Sequence, residues 1–431
     1  MNLLVSMIFI FLFIVMIGII NERFIHLQSD IALVLFSVIF SLILVVVMQL
    51  PGMESFSESI YEISDFGFET YLLDGVLCFM LFAGASKVNM HKFKQNIKAI
   101  SLLALLTTVI SSAFYGLLFY MATMILPFKL DIWTCILLGC IVSPTDPIAA
   151  TGILNKLGLS KNVTSVIENE SLFNDGTGVA LFVFVKSIVL HSGESNFLII
   201  MTKELGGAIL VAFLISFPLF RLLKLSKDPI RQILVSLLDV SLVYVVCEYF
   251  GFSGVIASVV CGMYFASKME SIARVRAVTD PKELYNDFWD VLDSILNAVL
   301  FVMIGISVLH LELSKYLLYL LPIGIFAVIF SRFVGVWIGS VLTGGKRIPS
   351  SYSLTEFVVL MTWSALKGGL SLALAMSTKE FLDNETYLIM LNVAYITIFF
   401  TVVVQGLTVS KVYRLVEHHK AHRIKKLSEP K

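Results

Sequence analysis

Charge is what this chain has least of. Asp, Glu, Lys and Arg make up only 14% of its 431 residues, and the signs balance at 31 against 31. A soluble domain carries about 25% charged residues. A net charge of zero gives no electrostatic footprint for nucleic acid, and we expect none as a partner. Cysteine is also scarce. Cys78, Cys135, Cys140, Cys247 and Cys261 all fall in apolar segments. An odd number with none in a loop argues against a disulfide framework, and no Cys/His cluster has ligand spacing. We therefore expect plain thiols and no cofactor. No histidine occupies the centre of an apolar run, since His310 lies at an edge. A membrane-embedded hydrolase would need a nucleophile beside a base, so we expect no enzyme. Long polar stretches are missing as well. The longest, 411–431, is too short to bury a core.

Apolar sequence is what is present: 58% of the residues are hydrophobic, 34 of them Phe. A spanning helix needs about 17–25 mainly apolar residues. By that measure there are thirteen candidates, near 3–20, 31–50, 70–86, 99–126, 132–154, 163–186, 203–220, 231–250, 252–267, 288–309, 316–342, 354–378 and 386–410. The first has no basic n-region and no small-x-small cleavage site, so it reads as a retained helix rather than a signal peptide. The domain reading is a membrane domain over 1–410 and a short basic tail over 411–431.

The basic residues are unevenly placed. Loops 87–98, 221–231 and 268–282 carry four each and the tail carries seven, all on one side of an alternating topology. Loop 51–69, on the other side, has Glu54, Glu58, Glu62, Asp65 and Glu69 and no Lys or Arg. Cytoplasmic loops are Lys/Arg-rich. The pattern implies an odd helix count, with the N-terminus outside and the C-terminus in the cytoplasm. The tail, with His418, His419 and His422, reads as a positive-inside segment near anionic lipid, or more sharply as a pH sensor.

Charges inside membrane helices usually mark function. The first such cluster is GCIVSPTDPIAATGIL, residues 139–154, where Pro144 and Pro147 flank Thr145 and Asp146. Two prolines at mid-helix open the backbone, and freed carbonyls at membrane depth must be buried in protein or line a watery cavity. Such carbonyls, with Thr145 and Asp146, suit a hard cation; Asp146 also suits the start of a second half-helix. The second cluster is ENESLFNDGTG, residues 168–178. Glu170 and Asn174 are four apart, as are Ser171 and Asp175, so all four share one helix face. The Asp175 carboxylate can hold a small cation or one proton, but not both, because the proton removes the attracting charge. Two lone bases remain. Arg332 lies in VIFSRFVGVWIG, and Lys367 lies beside Gly368 and Gly369 in WSALKGGLSLALAM. Each needs an acidic partner or a helix C-terminus, and the glycine pair favours a helix break or close crossing.

Taken in order, SPTDPIAA, ENESLFNDGTGVALF, LNAVLFVMIGI (296–306), Arg332, WSALKGGLSLALA (363–375) and VQGLT (404–408) resemble the first family of monovalent cation:proton antiporters, the sodium/proton exchangers. The resemblance spans nearly the whole chain. It implies an all-α polytopic fold of thirteen helices: two inverted six-helix repeats and a linking helix, with helices five and twelve broken and crossing at the membrane centre. It implies that Asp175 is the cation/proton carboxylate, supported by Asn174 and Asp146, with Ser171 and the backbone near Thr145 as further ion ligands. Glu170 and Arg332 match the family's structural ion pair. An Asn before the Asp goes with electroneutral exchange in that family, and here it is Asn174. One departure is Lys367, where the family usually has Arg; the charge survives but the bidentate fork does not. The short tail matches a bacterial form in a plasma membrane, and the resemblance also implies a homodimer. The expected function is antiport of a monovalent cation, sodium first, then potassium or lithium, against a proton. The alternative is a cation channel, which also places carboxylates and broken helices at the membrane centre.

Overall fold

The structure, a computed structural model, describes residues 3–50, 60, 68–87, 90–146, 148–159, 161–190, 199, 202–226, 228–273, 281–343 and 352–428. Pro147, most of the acidic loop 51–69 and the Lys346–Arg347 pair lie outside the described residues. Helix is dictated by the bilayer: a backbone with no water to bond must satisfy itself within one segment. Among the described residues the sheet pairing is a single isolated bridge, between Asp146 and Leu366.

The helices in chain order are α1 (Leu3–Ile20), α2 (Ser29–Met48), α3 (Leu77–Ser86), α4 (Met90–Thr123), α5 (Ile132–Val142), α6 (Ile148–Lys156), α7 (Lys161–Val189) and α8 (Gly207–Leu225). They continue as α9 (Pro229–Tyr249), α10 (Gly254–Ala273), α11 (Pro281–Ile306), α12 (Leu317–Leu342), α13 (Leu354–Trp363), α14 (Gly369–Ser377), α15 (Asn384–Phe399) and α16 (Gly406–Ser428). Nine spans among the described residues are long and apolar enough to cross a bilayer, and four shorter apolar helices fall between them. Each of the thirteen expected segments therefore has its helix. Two of them are interrupted: 132–154 is divided into α5 and α6, and 354–378 into α13 and α14.

The helices sort into two bundles by packing. In the first, α4 packs on α5, α7 and α12, while α12 also packs on α13 and α15. In the second, α10 packs on α3, α11 on α2, and α9 on α8 and α10. Lipid supplies no hydrophobic drive between helices, so small residues that permit close backbone approach decide the contacts. A Cβ added at Gly139 of α5 would lie 2.1 Å from the Ser112 carbonyl oxygen of α4, and one at Gly335 of α12 would lie 2.1 Å from Ser111 Oγ. The LNAVLFVMIGI stretch lies at the junction of the bundles. Ser41 of α2 donates to the Gly305 carbonyl at 2.8 Å, and Leu300 packs so tightly on Gly369 that a Cβ there would lie 2.4 Å away.

The basic tail is helical and docked. After a wide π-turn at Phe400–Gln405, α16 runs unbroken through residue 410 to Ser428. Its inner face, Val409, Tyr413 and Val416, is buried with Phe357 and Leu360 of α13. Polar ties hold both ends of α13. Trp363 Nε1 donates to Thr408 Oγ1 at 3.0 Å. At the other end Ser353 and Glu356 form a reciprocal capping box, and Arg423 donates to both oxygens of Glu356 at 3.1 and 3.0 Å. Tyr352 donates to Glu417, and Lys420 lies 4.1 Å above the Tyr352 ring. His418, His419 and His422 are exposed on the opposite side. Arg423→Ala removes two charge-assisted bonds from a carboxylate buried at a helix start. It is expected to destabilise the protein by about 1–2 kcal/mol, visible as a lower thermal midpoint in detergent. An unchanged midpoint would show that the Arg423–Glu356 tie contributes nothing to stability.

Candidate functional site

The interruption between α5 and α6 covers residues 143–146, and regular helix stops there because the proline at 144 cannot continue it. The interruption between α13 and α14 covers Ser364–Gly368. The two cross, and the Asp146 N–H donates to the Leu366 carbonyl at 2.8 Å. That bond satisfies backbone groups that neither broken helix can pair internally.

Each interruption then lends a charge to the other. Lys367 Nζ donates to the Ser143 carbonyl at 2.9 Å, and Ser143 is the C-cap of α5. A cation at a helix C-terminus opposes the negative end of its dipole. In return the Asp146 carboxylate abuts the N-terminus of α14: a Cβ at the Gly368 N-cap would lie 3.2 Å from Asp146 Oδ2. The acidic partner or helix C-terminus expected for Lys367 is thus a helix C-terminus. The π-turn before α16 adds a further tie, since Thr401 Oγ1 accepts from the Lys367 N–H at 3.1 Å.

The polar face of α7 lies against the first interruption. The Thr145 N–H donates to Asn174 Oδ1 at 3.0 Å, and Asn174 Nδ2 donates to Thr145 Oγ1 at 2.6 Å. Thr145 Oγ1 donates in turn to Ser171 Oγ at 3.2 Å, and Ser171 Oγ donates to the Thr145 carbonyl. The network is closed and buried, so Thr145, Ser171 and Asn174 hold each other in one arrangement. The Asn174 amide supplies both the donor and the acceptor that the network needs. Gly178, one turn on, admits the Pro144 ring, which would lie 2.6 Å from any Cβ there.

Asp175 follows this network and is half-buried. It lies in the field of Asp146, Lys367 and Glu170. Also on α7, Glu170 accepts from Arg332 of α12 through two parallel bonds, Nη1–Oε1 at 3.0 Å and Nη2–Oε2 at 2.7 Å. Both side chains are nearly sealed, at 5% and 2% exposure. All eight residues singled out in the sequence, Thr145, Asp146, Glu170, Ser171, Asn174, Asp175, Arg332 and Lys367, meet in this one crossing. Sequence reasoning missed Ser143 and Leu366, which act through their backbone carbonyls, and Thr401, which acts through its hydroxyl. It also passed over Glu356, although Ser353-x-x-Glu356 is a readable capping-box pattern.

Two broken helices crossing within a multi-pass bundle, with carboxylates at the break, define a secondary transporter. Comparisons with known proteins give the particular family. Residues 61–415 match the family described as sodium/hydrogen exchanger, transmembrane. The chain is 30% identical over 405 residues to the Na(+)/H(+) antiporter NhaP of Pseudomonas aeruginosa, covering 92% of this chain and 93% of that protein. It is 29% identical to the Na(+)/H(+) antiporter NhaH of Halobacillus aidingensis, covering 85% and 87%. In fold it is similar to the sodium proton antiporter MjNhaP1 of Methanocaldococcus jannaschii, with a TM-score of 0.73 at 19% identity over 96% of this chain and 99% of that one. The chain belongs to the sodium/hydrogen exchanger family.

Proposed function

We propose that this chain exchanges sodium for protons one for one, and that the two compete for Asp175. Like its family it is a secondary-active antiporter and not an enzyme. The observation that carries the stoichiometry is the charge count at the crossing. Three carboxylates, Asp146, Glu170 and Asp175, face two cations, Arg332 and Lys367. The surplus is one negative charge. One sodium ion or one proton neutralises it, and a buried charge left unneutralised is strongly disfavoured. Asn174 adds no charge to that count.

In this reading Asp175 and Asp146 attract the ion, and the oxygens of Thr145 and Ser171 line its place. Lys367 holds the end of α5 fixed while the cargo changes. Alternating access follows from movement of the bundle carrying α5–α6 and α13–α14 against the bundle of α2, α3, α10 and α11. The N-terminus faces outside and the C-terminus the cytoplasm, in line with the basic loops.

The test is exchange in sealed vesicles carrying the purified protein. A sodium gradient is expected to drive protons the opposite way, at a rate unchanged when the membrane potential is clamped at zero. Proton movement that tracks the potential would overturn the one-for-one ratio. Sodium flux without any proton flux would return the channel reading.

A further inference from the structure

One face of α8 changes character along its length. Leu210, Phe213, Leu214 and Phe217 are exposed and apolar, and Arg221 and Lys224 follow on the same stripe, exposed at the end of the helix. These bases are seated on rings. The Arg221 guanidinium carbon lies 4.3 Å from the Phe217 ring centre, and Lys224 Nζ lies 5.3 Å from that of Phe220. A cation over an aromatic face is attracted by the ring's quadrupole. The neighbouring α10 repeats the arrangement, with Lys268 Nζ 5.7 Å from the Tyr264 ring centre. The two sets are joined. Tyr264 meets Phe213 and Phe220 edge to face, each at 5.8 Å, and Phe220 is itself sealed against Phe265 at 5.3 Å. Short connections make α8, α9 and α10 alternate in direction, so α8 and α10 run parallel. Tyr264 stands level with the turn between Phe213 and Phe220. Lys268, one turn further on, is therefore level with Arg221 and Lys224.

We propose that the groove between α8 and α10 is a binding site for one anionic phospholipid. Its phosphate lies among Arg221, Lys224 and Lys268, and an acyl chain runs along Phe213 and Phe217 over the half-buried Tyr264. The order along α8 is that of the lipid itself, an apolar stretch and then charge. The rise from Leu210 to Phe217 is about 10 Å, an apolar length that a soluble anion would leave unused. Arginine offers phosphate a planar fork and lysine a point charge. Basic residues between membrane helices hold acidic lipid head groups. Rings packed into the bundle hold these three bases at one depth, which the uneven placement of Lys and Arg among loops does not require. The site stands whatever ion the helix crossing carries.

The test is native mass spectrometry of the full chain in detergent, titrated with dioleoyl phosphatidylglycerol or with dioleoyl phosphatidylcholine. One phosphatidylglycerol is expected to be retained about a hundredfold more tightly than phosphatidylcholine, since each base beside an anionic lipid contributes about fivefold. The triple variant Arg221→Gln/Lys224→Gln/Lys268→Gln is expected to remove that preference. Arg221→Gln alone is expected to weaken it about fivefold, and serves if the triple variant fails to fold. Lys411→Gln/Arg414→Gln/Lys426→Gln removes the same charge from the exposed side of α16 and is expected to leave the preference intact. Equal affinity of the wild-type chain for the two lipids would overturn the proposal. An equal loss in the α16 variant would also overturn it, by showing a general effect of charge. Displacement of the lipid by glycerol 1-phosphate, the head group alone, would assign the bases to a soluble phosphate and remove the lipid site.

Discussion

Asp175→Asn is expected to abolish sodium-driven proton movement while leaving the fold intact. The substitution keeps the size of the side chain. It removes the charge and the titratable proton together. A unit charge pair about 4 Å apart at an effective dielectric of about 20 is worth about 4 kcal/mol, or about 1,000-fold in cation affinity. Asp175 is not a member of the closed Thr145–Ser171–Asn174 network, so the thermal midpoint should change little. The measurement is proton flux in vesicles at matched protein density, beside the unfolding midpoint in detergent. Wild-type flux in the variant would remove Asp175 as the exchange carboxylate. A collapsed midpoint would make its role structural.

Glu170→Ala and Arg332→Ala are each expected to destabilise the protein severely, in the opposite pattern. The pair is bidentate and sealed from solvent. Removing one partner strands a buried charge, which costs about 3–5 kcal/mol, whereas replacing both by apolar groups of similar volume is often neutral. The double variant Glu170→Met/Arg332→Met should therefore unfold at a higher temperature than either single alanine variant. Thermal midpoints of the three variants check this. Single variants with wild-type midpoints would show that the ion pair contributes nothing to stability. Because the pair also enters the charge count at the crossing, a folded Arg332→Ala variant is expected to lose exchange as well.

Much of this site was legible because its chemistry conflicts with its setting. Asp175 and Glu170 stand out against an apolar run, and i,i+4 spacing alone puts Asn174 and Ser171 on the same face. The proline at 144 and the glycines at 368 and 369 mark the two breaks, since each forbids or weakens regular helix where it stands. The partners were less legible. Glu170 and Arg332 are 162 residues apart, and their pairing in the sequence rested on family resemblance alone. Lys367 could have sought a carboxylate or a carbonyl, and it bonds to the backbone of Ser143, which carries no side-chain signal. The docking of the tail was not legible: it reads as a basic segment near anionic lipid, and in the structure Val409, Tyr413, Val416 and Arg423 form the inner face of a helix bound to α13. Its apolar positions are too sparse to stand out beside so many charges.

By itself the sequence determined that this chain spans a membrane many times, that two of its helices break, and which few residues carry charge into the apolar interior. Those are one-dimensional properties: hydropathy, backbone chemistry and spacing along one helix. Tertiary structure alone decided which break meets which. It set Asp146 against the start of α14 and Lys367 against the end of α5. It left three carboxylates facing two cations. The reason is physical: helix-end dipoles and buried charges are settled by what lies within a few ångströms in space, and neighbours at that range come from segments far apart in the chain.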